Sequence, residues 1–256
     1  KHTAASFLPL SHVFERVAVM VYMSVGASVY YINNPKEIVQ NVKEIRPHYI
    51  TSVPRILEKL YDEIQKRIKT SPFYARILIK WALKSGRMSR RQSVNPLRKI
   101  ELALCDLLVF RKWRKILGGR IQGIVVGAAA MPRHIAQLYN DAGITIREGY
   151  GLTETSPIVS FNRFEAGGNR FGTVGIPIPS VQVKINEPNE NGIGEIAVKG
   201  PNVMLGYYKN EDLTKEKMDE EGWFYTGDIG KITHKRFLSI TDRKKNIFKT
   251  SSGRYV

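Results

Sequence analysis

Cysteine is almost absent: Cys105 stands alone in 256 residues, so no intrachain disulfide can form. The expectation is a reducing compartment, the cytoplasm. Long apolar runs are missing as well. The longest uncharged stretch of mainly apolar residues, 17–32, which ends where Asn33-Asn-Pro35 begins, is shorter than the roughly 20 residues that span a bilayer, and Gly26 and Ser28 divide it. No internal repeat or low-complexity tract is present, and glycine and proline stand at ordinary levels, which sets aside collagen-like and disordered classes. At 43% hydrophobic residues, the chain can bury one large core or two modest ones. Several catalytic signatures are lacking too: no G-x-S-x-G elbow, no Walker loop, no G-x-G-x-x-G, and no His or Cys pair spaced for a metal. Simple hydrolases, P-loop enzymes and zinc enzymes are thereby disfavoured.

Acidic residues are scarce in one region. The whole chain carries 40 basic against 23 acidic residues, a net charge of +17. Between positions 69 and 120 fourteen Lys and Arg face only Glu101 and Asp106, so this stretch holds a surplus of twelve and the rest is mildly basic. The flanks of Cys105 (Glu101, Leu102, Leu104, Leu107, Leu108) read as an amphipathic helix with the thiol as a small buried side chain.

What is there is an alternation of strand and helix. Helical apolar spacing covers residues 15–23 and ends at Gly26. The run Ser28-Val-Tyr-Tyr-Ile32 reads as a buried strand, and Asn34-Pro35 as an N-cap and first helical position opening a helix through Lys43. Residues 48–53 form the next strand and 55–69 the next helix, started by Pro54. This order predicts a parallel sheet with right-handed crossovers. Phe73, Ile77 and Trp81, then Leu97, Ile100, Leu104 and Leu107, predict two amphipathic helices joined by a polar loop over 85–96. The sheet resumes at 121–126, with a helix over 133–142 and a strand over 144–147. After Phe171 short alternating strands follow at 181–185, 193–199, 231–233 and 237–241, with Asn191-Gly192 as a type I′ hairpin turn. The fold class is therefore α/β plus β: a parallel α/β layer over 1–170 with a basic helical insert at 70–116, then a small antiparallel, barrel-like subdomain over 171–242.

Three glycine-rich turns could carry chemistry. Glu148-Gly-Tyr-Gly-Leu-Thr-Glu-Thr-Ser156 follows a strand, where open α/β sheets place ligands. Gly149 and Gly151 allow close backbone approach, Tyr150 offers a flat face for a base, Thr153 can donate to a phosphate oxygen, and Glu154 suits Mg²⁺. The competing reading is an ordinary polar loop. Gly127-Ala-Ala-Ala-Met-Pro132 either packs a helix closely against the sheet or leaves room for a ligand. In Gly222-Trp-Phe-Tyr-Thr-Gly-Asp-Ile-Gly230, Asp228 lies before a strand and could accept both hydroxyls of a ribose, or simply cap an Asx turn. Asp242-Arg-Lys-Lys-Asn246, by itself, is a solvated charged turn.

Taken together, Tyr150-Gly-Leu-Thr-Glu-Thr155, Tyr225-Thr-Gly-Asp228 and Asp242-Arg-Lys-Lys-Asn-Ile-Phe-Lys249 resemble three core motifs of the AMP-forming acyl-adenylating enzymes, in order and at the family's spacing. Leu8-Pro-Leu-Ser-His-Val-Phe-Glu-Arg16, Arg46-Pro-His-Tyr-Ile-Thr-Ser-Val-Pro-Arg55 and Glu58-Lys-Leu-Tyr61 are similar to the long-chain fatty acyl-CoA synthetase branch. The resemblance extends along nearly the whole chain. It implies the core of a large N-terminal domain, ATP and Mg²⁺ as cofactors, and fatty acid and coenzyme A as partners. An acyl-adenylate and pyrophosphate form first, and the thiol of coenzyme A then displaces AMP.

Residue by residue, the resemblance implies that Gly127, Ala128, Ala129 and Ala130, with Glu148, Gly149, Tyr150 and Gly151, line the adenine and acyl pocket, Tyr150 lying against the base. Thr153 would hold phosphate and Glu154 the metal. Asp228 and Arg243 would bind the ribose hydroxyls, with Ile240 packed beside the nucleoside. His12 matches a position near the carboxylate, although from the residues alone it reads as a helix-start residue. Lys245 falls at the hinge of a small C-terminal domain whose first residues are 243–256, and Lys249 where the family reaches phosphate or coenzyme A.

The family's phosphate loop, ending in Pro-Lys-Gly, belongs before Leu8, and its adenylation lysine beyond Val256. The expectation is that residues 1–256 alone bind nucleotide weakly and adenylate poorly or not at all. Two other functions stay open: a fatty acyl-AMP ligase or adenylating enzyme with a different acceptor, and a basic module without catalysis. For the insert at 70–116 three uses compete: a solvated hairpin, peripheral attachment to the inner face of a membrane, and, least favoured because no recognition module is present, nucleic-acid binding. ATP–pyrophosphate exchange by residues 1–256 is expected to be negligible with or without fatty acid; robust fatty-acid-dependent exchange would contradict this.

Overall fold

The structure, a computed structural model, describes residues 2–34, 36–89 and 95–243. The chain divides into two compact units, Lys1–Arg147 and Glu148–Val256. Residue 171, where the texture of the sequence changes, lies within the second.

The first unit is built on four parallel strands in the order β2-β1-β3-β4: β1 (Thr3–Ser6), β2 (Ser28–Tyr31), β3 (Tyr49–Ser52) and β4 (Gly123–Val126). Helices α1 (Val13–Ser24), α2 (Ile38–Ile45), α3 (Pro54–Thr70) and α7 (Arg133–Asp141) connect and cover them. Pro54 sits in the first turn of α3, where its missing N–H costs nothing. Gly26, at φ 70°, turns the chain out of α1. Ala5, Ile50, Ile124, Leu57, Val42 and Tyr139 are buried at the centre, and the Tyr139 hydroxyl donates to the Leu57 carbonyl at 2.8 Å.

Two expectations shift here. β2 is not a buried strand: it is the edge strand, with Tyr30 and Tyr31 about half exposed. Helix α2 starts at Ile38, not at Pro35, which lies outside the described residues; the Asn34 side chain instead accepts from the Lys36 N–H as an Asx turn.

The insert is a helical hairpin, α4 (Phe73–Ser89) and α5 (Pro96–Cys105), continued by a π-helical turn over Asp106–Phe110 and α6 (Arg111–Ile116). Helix α4 runs beyond residue 85, into the stretch expected to be loop. Asn95 caps α5 by accepting from the Arg98 N–H, and the Ser85 hydroxyl donates to Glu101 across the hairpin. Cys105 is fully buried, and burial raises its thiol pKa. The periodicity of α5 is as expected, but its apolar stripe faces outward: Leu97, Ile100, Leu104 and Leu107 are 77%, 61%, 46% and 55% exposed.

β5 (Ile146–Gly151) carries the chain into the second unit, which is antiparallel. β5 pairs with β6 (Ile158–Phe161), which pairs with β7 (Ile176–Pro177). A four-stranded sheet, β11-β10-β9-β8, follows from β8 (Gln182–Asn186), β9 (Gly194–Lys199), β10 (Phe224–Thr233) and β11 (Phe237–Arg243), with the short helix α8 (Glu211–Lys217) between β9 and β10. The core gathers Val159, Val174, Val181, Ile196, Val198 and Leu238. The Asn191-Gly192 pair is not a type I′ turn, since of the two only Gly192 has positive φ; Asn189 organises this bend by accepting from the N–H groups of Asn191 and Ile193.

One buried acid in the first unit escaped the sequence reading. Glu15 is 0% exposed and accepts hydrogen bonds from Ser6 Oγ at 2.5 Å, from Thr51 Oγ1 and from the N–H groups of Phe7 and Leu8. It thereby joins the carboxyl ends of β1 and β3 to α1. Burial pushes its carboxyl above the ordinary value of 4.5, and the four donors offset part of that rise. A raised value means that this group's stability contribution is complete below 4.5 and is lost as pH rises through the folded value. Glu15→Ala strands four buried donors, so urea denaturation is expected to show a loss of about 2–5 kcal/mol. The gap between wild type and variant should narrow as pH rises from 4.5.

Candidate functional site

In the second unit the Glu148–Ser156 segment is part strand, part turn. Glu148, Gly149, Tyr150 and Gly151 lie on β5 itself, not in a loop after it, because β5 extends four residues beyond the expected strand end at 147. Its ladder with β6 pairs Gly149 with Phe161 and Tyr150 with Ser160, then shifts register between Tyr150 and Gly151. Glycine at 151 is obligatory: a Cβ there would stand 1.7 Å from the Pro157 carbonyl oxygen. At Gly149 a Cβ would press the Phe161 ring at 3.1 Å.

Beyond Gly151 the residues Thr153–Thr155 form one 3-10 turn. The buried Thr155 hydroxyl closes it, accepting from the Leu152 N–H and donating to the Pro157 carbonyl. Asn202 grips the same turn from outside, its amide donating to the carbonyls of Thr155 and Ile158, both at 2.8 Å. This scaffold presents Thr153, exposed, and Glu154, half-buried. Glu154 is held at both ends of its residue: its carbonyl accepts from the Met204 N–H at 2.8 Å, and its Oε1 accepts from the Tyr207 hydroxyl at 3.1 Å. Burial, and next the bond to Glu154, push the Tyr207 phenol pKa upward.

Asp228 lies within β10, not ahead of a strand as expected, and is 5% exposed. Its Oδ2 accepts from the Tyr150 hydroxyl at 2.7 Å, across 78 residues of sequence. Its N–H donates to Thr226 Oγ1, and the neighbouring Gly227, at φ 74°, donates its N–H to Glu195 Oε1. Tyr150 and Ile240 pack against the same apolar cluster around Ile196 and Leu238. Asp228 pairs with Arg243 in the β10–β11 ladder; the Arg243 side chain, Lys245 and Lys249 lie outside the described residues. The structure thus gathers Tyr150, Ile240 and Asp228 around one cluster and fixes Glu154 by separate bonds within the same unit.

The other candidates belong to the first unit. The Gly127–Ala130 turn follows β4, with the Gly127 N–H donating to the Ser52 carbonyl, Ala128 at φ 68°, and Ala128, Ala129 and Ala130 exposed. A Cβ on Gly127 would meet the Phe14 ring at 3.1 Å, so this glycine permits close approach of the turn to α1. His12 is exposed at the N-cap of α1, two residues from Phe14, and its side chain makes no capping bond. Gly127 and the His12–Phe14 segment are therefore neighbours. A small cavity of ≈ 50 Å³, lined by Leu60, Ile64, Trp113, Leu117, Tyr139 and Ile144 among others, touches none of the candidate residues.

Sequence reasoning missed Tyr207, Asn202, Thr226 and Glu195. Only Glu195 carried a signal, an acid inside the apolar run Glu195-Ile-Ala-Val198 that must find a donor when buried. Asn202 and Tyr207 act across 44 to 53 residues, which no local pattern reveals; Thr226 accepts from the Asp228 N–H two residues on and also donates to the Ile196 carbonyl 30 residues away.

Chemically, the arrangement offers a buried carboxylate acceptor beside an aromatic ring, and a second, partly open carboxylate beside an exposed hydroxyl. Among the described residues no cluster of three or more His, Cys, Asp or Glu could cage a metal. A lone carboxylate such as Glu154 fits Mg²⁺, which keeps its waters and binds through one or two carboxylates plus substrate phosphates.

Residues 1–208 match the model of the family described as AMP-binding enzyme. The chain belongs to that family. Among curated relatives it is 38% identical over 259 residues to the mouse (Mus musculus) long-chain-fatty-acid–CoA ligase 6, covering 98% of this chain and 36% of the relative. It is 35% identical to long chain acyl-CoA synthetase 5 of Arabidopsis thaliana, covering 100% of this chain and 39% of the relative. The chain thus spans little more than a third of the length of these relatives. Of solved structures, o-succinylbenzoate coenzyme A synthetase from Bacillus subtilis, in complex with ATP and magnesium, superposes with a TM-score of 0.66 at 21% identity, over 100% of this chain and 44% of that one. An ATP-bound chimera, RpMatB-BxBclM B3, gives 0.70 at 22%, over 100% and 42%. At these identities the likeness is one of fold.

Asn202→Ala removes both bonds that hold the Glu154 turn and leaves two carbonyls unpaired. Chemical denaturation is expected to show a loss of about 1–3 kcal/mol.

Proposed function

We propose that the protein activates a long-chain fatty acid with ATP and transfers the acyl group to coenzyme A. A carboxylate oxygen of the fatty acid attacks the α-phosphorus, its bond to the bridging oxygen breaks, and pyrophosphate leaves with that electron pair. The sulfur of coenzyme A then attacks the acyl carbonyl, AMP departs, and the thiol proton is released. The observation that carries this reading is the 2.7 Å bond from Tyr150 to Asp228, which unites two of the three motifs on one apolar cluster.

In this reading Asp228 accepts from the ribose hydroxyls, a carboxylate having about four lone-pair sites. Arg243 completes that contact. The Tyr150 ring stacks on the adenine, with Ile240 beside the nucleoside and Glu148, Gly149 and Gly151 lining its path. Thr153 donates to phosphate, and Glu154 is the protein ligand for Mg²⁺. That ion, when bound, neutralises charge on the phosphates. His12 serves the acyl carboxylate, the Gly127–Ala130 turn lines the adenine and acyl pocket, Lys245 serves as the hinge, and Lys249 serves phosphate or coenzyme A. Rate enhancement on this account comes from alignment and charge neutralisation, with no covalent enzyme intermediate. The free, buried Cys105 fits action in a reducing cytoplasm.

The test is ATP–pyrophosphate exchange by the intact protein with a long-chain fatty acid, followed by assay of acyl-coenzyme A. Asp228→Ala is expected to lower kcat/KM for ATP roughly a hundredfold, the scale of losing charge-assisted hydrogen bonds. Exchange that ignores fatty acid would overturn the substrate. Acyl-adenylate that forms but never reaches coenzyme A would overturn the acceptor in favour of an acyl-AMP ligase.

A further inference from the structure

The Glu154 carboxylate is held by one oxygen only. Its Oε1 accepts from the Tyr207 hydroxyl at 3.1 Å. Among the described residues Oε2 takes no hydrogen bond and the group enters no ion pair. One oxygen is therefore spoken for by the protein and the other is left to a ligand.

The hydroxyl that does the holding is itself built in. Residues 202–207 run along the Glu154 turn as a strap tied at both ends. At the near end the Asn202 amide and the Met204 N–H bind the turn. At the far end the Tyr207 N–H donates to Thr214 Oγ1 at 2.9 Å, and that hydroxyl donates on to the Asn210 carbonyl at 2.9 Å. Asn210 caps α8 by accepting from the Leu213 N–H, so the strap is anchored to a helix. Gly206 permits the close approach, since a Cβ there would stand 2.8 Å from Thr214 Cγ2. Leu205 and Tyr208 stand in solvent on either side, whereas Tyr207 turns inward to Glu154.

We propose that Tyr207 sets the cation preference of this site: by holding Oε1 it leaves Oε2 alone to meet a divalent ion, which favours Mg²⁺ over Ca²⁺. The inference rests on the reading of Glu154 as the metal ligand. Mg²⁺ demands octahedral geometry at about 2.0–2.1 Å and keeps several waters, so a single carboxylate oxygen serves it, with the rest supplied by water and phosphate. A hydrogen bond on the other oxygen leaves that contact undisturbed and fixes the direction of the carboxylate. Ca²⁺ takes more oxygens at longer distance and gains by chelating a carboxylate through both. To do so here it must displace the phenol from Oε1, leaving a half-buried donor without its acceptor. Tyr207 touches neither ion nor nucleotide on this account; it is a positioning residue that acts through Glu154.

The experiment is calorimetric titration of the intact protein with a non-hydrolysable ATP analogue in EDTA, in Mg²⁺ and in Ca²⁺, so that binding is read without turnover. In wild type Mg²⁺ is expected to strengthen binding roughly tenfold more than Ca²⁺ does. In Tyr207→Phe that preference should fall roughly tenfold, the scale of removing a partner from a metal-ligating carboxylate, with affinity in EDTA unchanged. The ratio is internal to each protein, so a loss of stability alone does not move it. Glu154→Gln should abolish the Mg²⁺ gain, and adding Tyr207→Phe to it should change nothing further. A wild type that accepts both ions equally, or a Tyr207→Phe variant that keeps the wild-type ratio, would overturn the inference and leave the reading of Glu154 standing. A Mg²⁺ gain that survives Glu154→Gln would overturn that reading and the inference with it.

Discussion

A carboxylate placed in the interior must be met by donors, and the second unit is organised around how Asp228 is met. At 5% exposure its charge cannot rely on water. The Tyr150 hydroxyl reaches it from β5, while its own N–H and that of Gly227 are held by Thr226 and Glu195. For that hydroxyl to arrive, the Tyr150 ring must lie on the cluster that Val159, Ile196 and Leu238 form between the two sheets of this unit. The register slip after Tyr150, the bare glycine at 151 and the Asn202 clamp on the following turn are all consequences of running β5 into that position. Glu154 then needs only a short turn and the Tyr207 hydroxyl to be aimed.

The first unit solves a similar problem with a different acid. Glu15 takes four donors from the ends of β1 and β3 and from the chain leaving β1, so α1 starts at a fixed point above the sheet. His12, at the head of that helix, and Gly127, against Phe14 two residues on, inherit their positions from it. In each unit a buried carboxylate, not a catalytic one alone, sets where the candidate residues stand.

The insert obeys the opposite rule. Its acids are paired, Glu101 with Ser85 and Asp106 with Arg114, while Leu97, Ile100, Leu104 and Leu107 stand on the outward side of the hairpin.

By itself the sequence determined the local content: which stretches are helix or strand, that Pro54 opens α3, that Cys105 is buried, and that Tyr150-Gly-Leu-Thr-Glu-Thr155, Tyr225-Thr-Gly-Asp228 and the following basic segment belong together as one family's motifs. These are read from spacing over a few residues, which backbone geometry converts directly into a face or a turn. Only the tertiary structure decided that β2 is an edge strand, that Tyr150 and Asp228 sit inside strands, and that Asn202 and Tyr207 grip the Glu154 turn. It also decided that the stripe of α5 points out. Period reveals that a helix has an apolar face, but which way the face turns depends on what packs beneath it, and partners 16 to 78 residues apart are set by sheet register and hairpin packing, which no local pattern encodes.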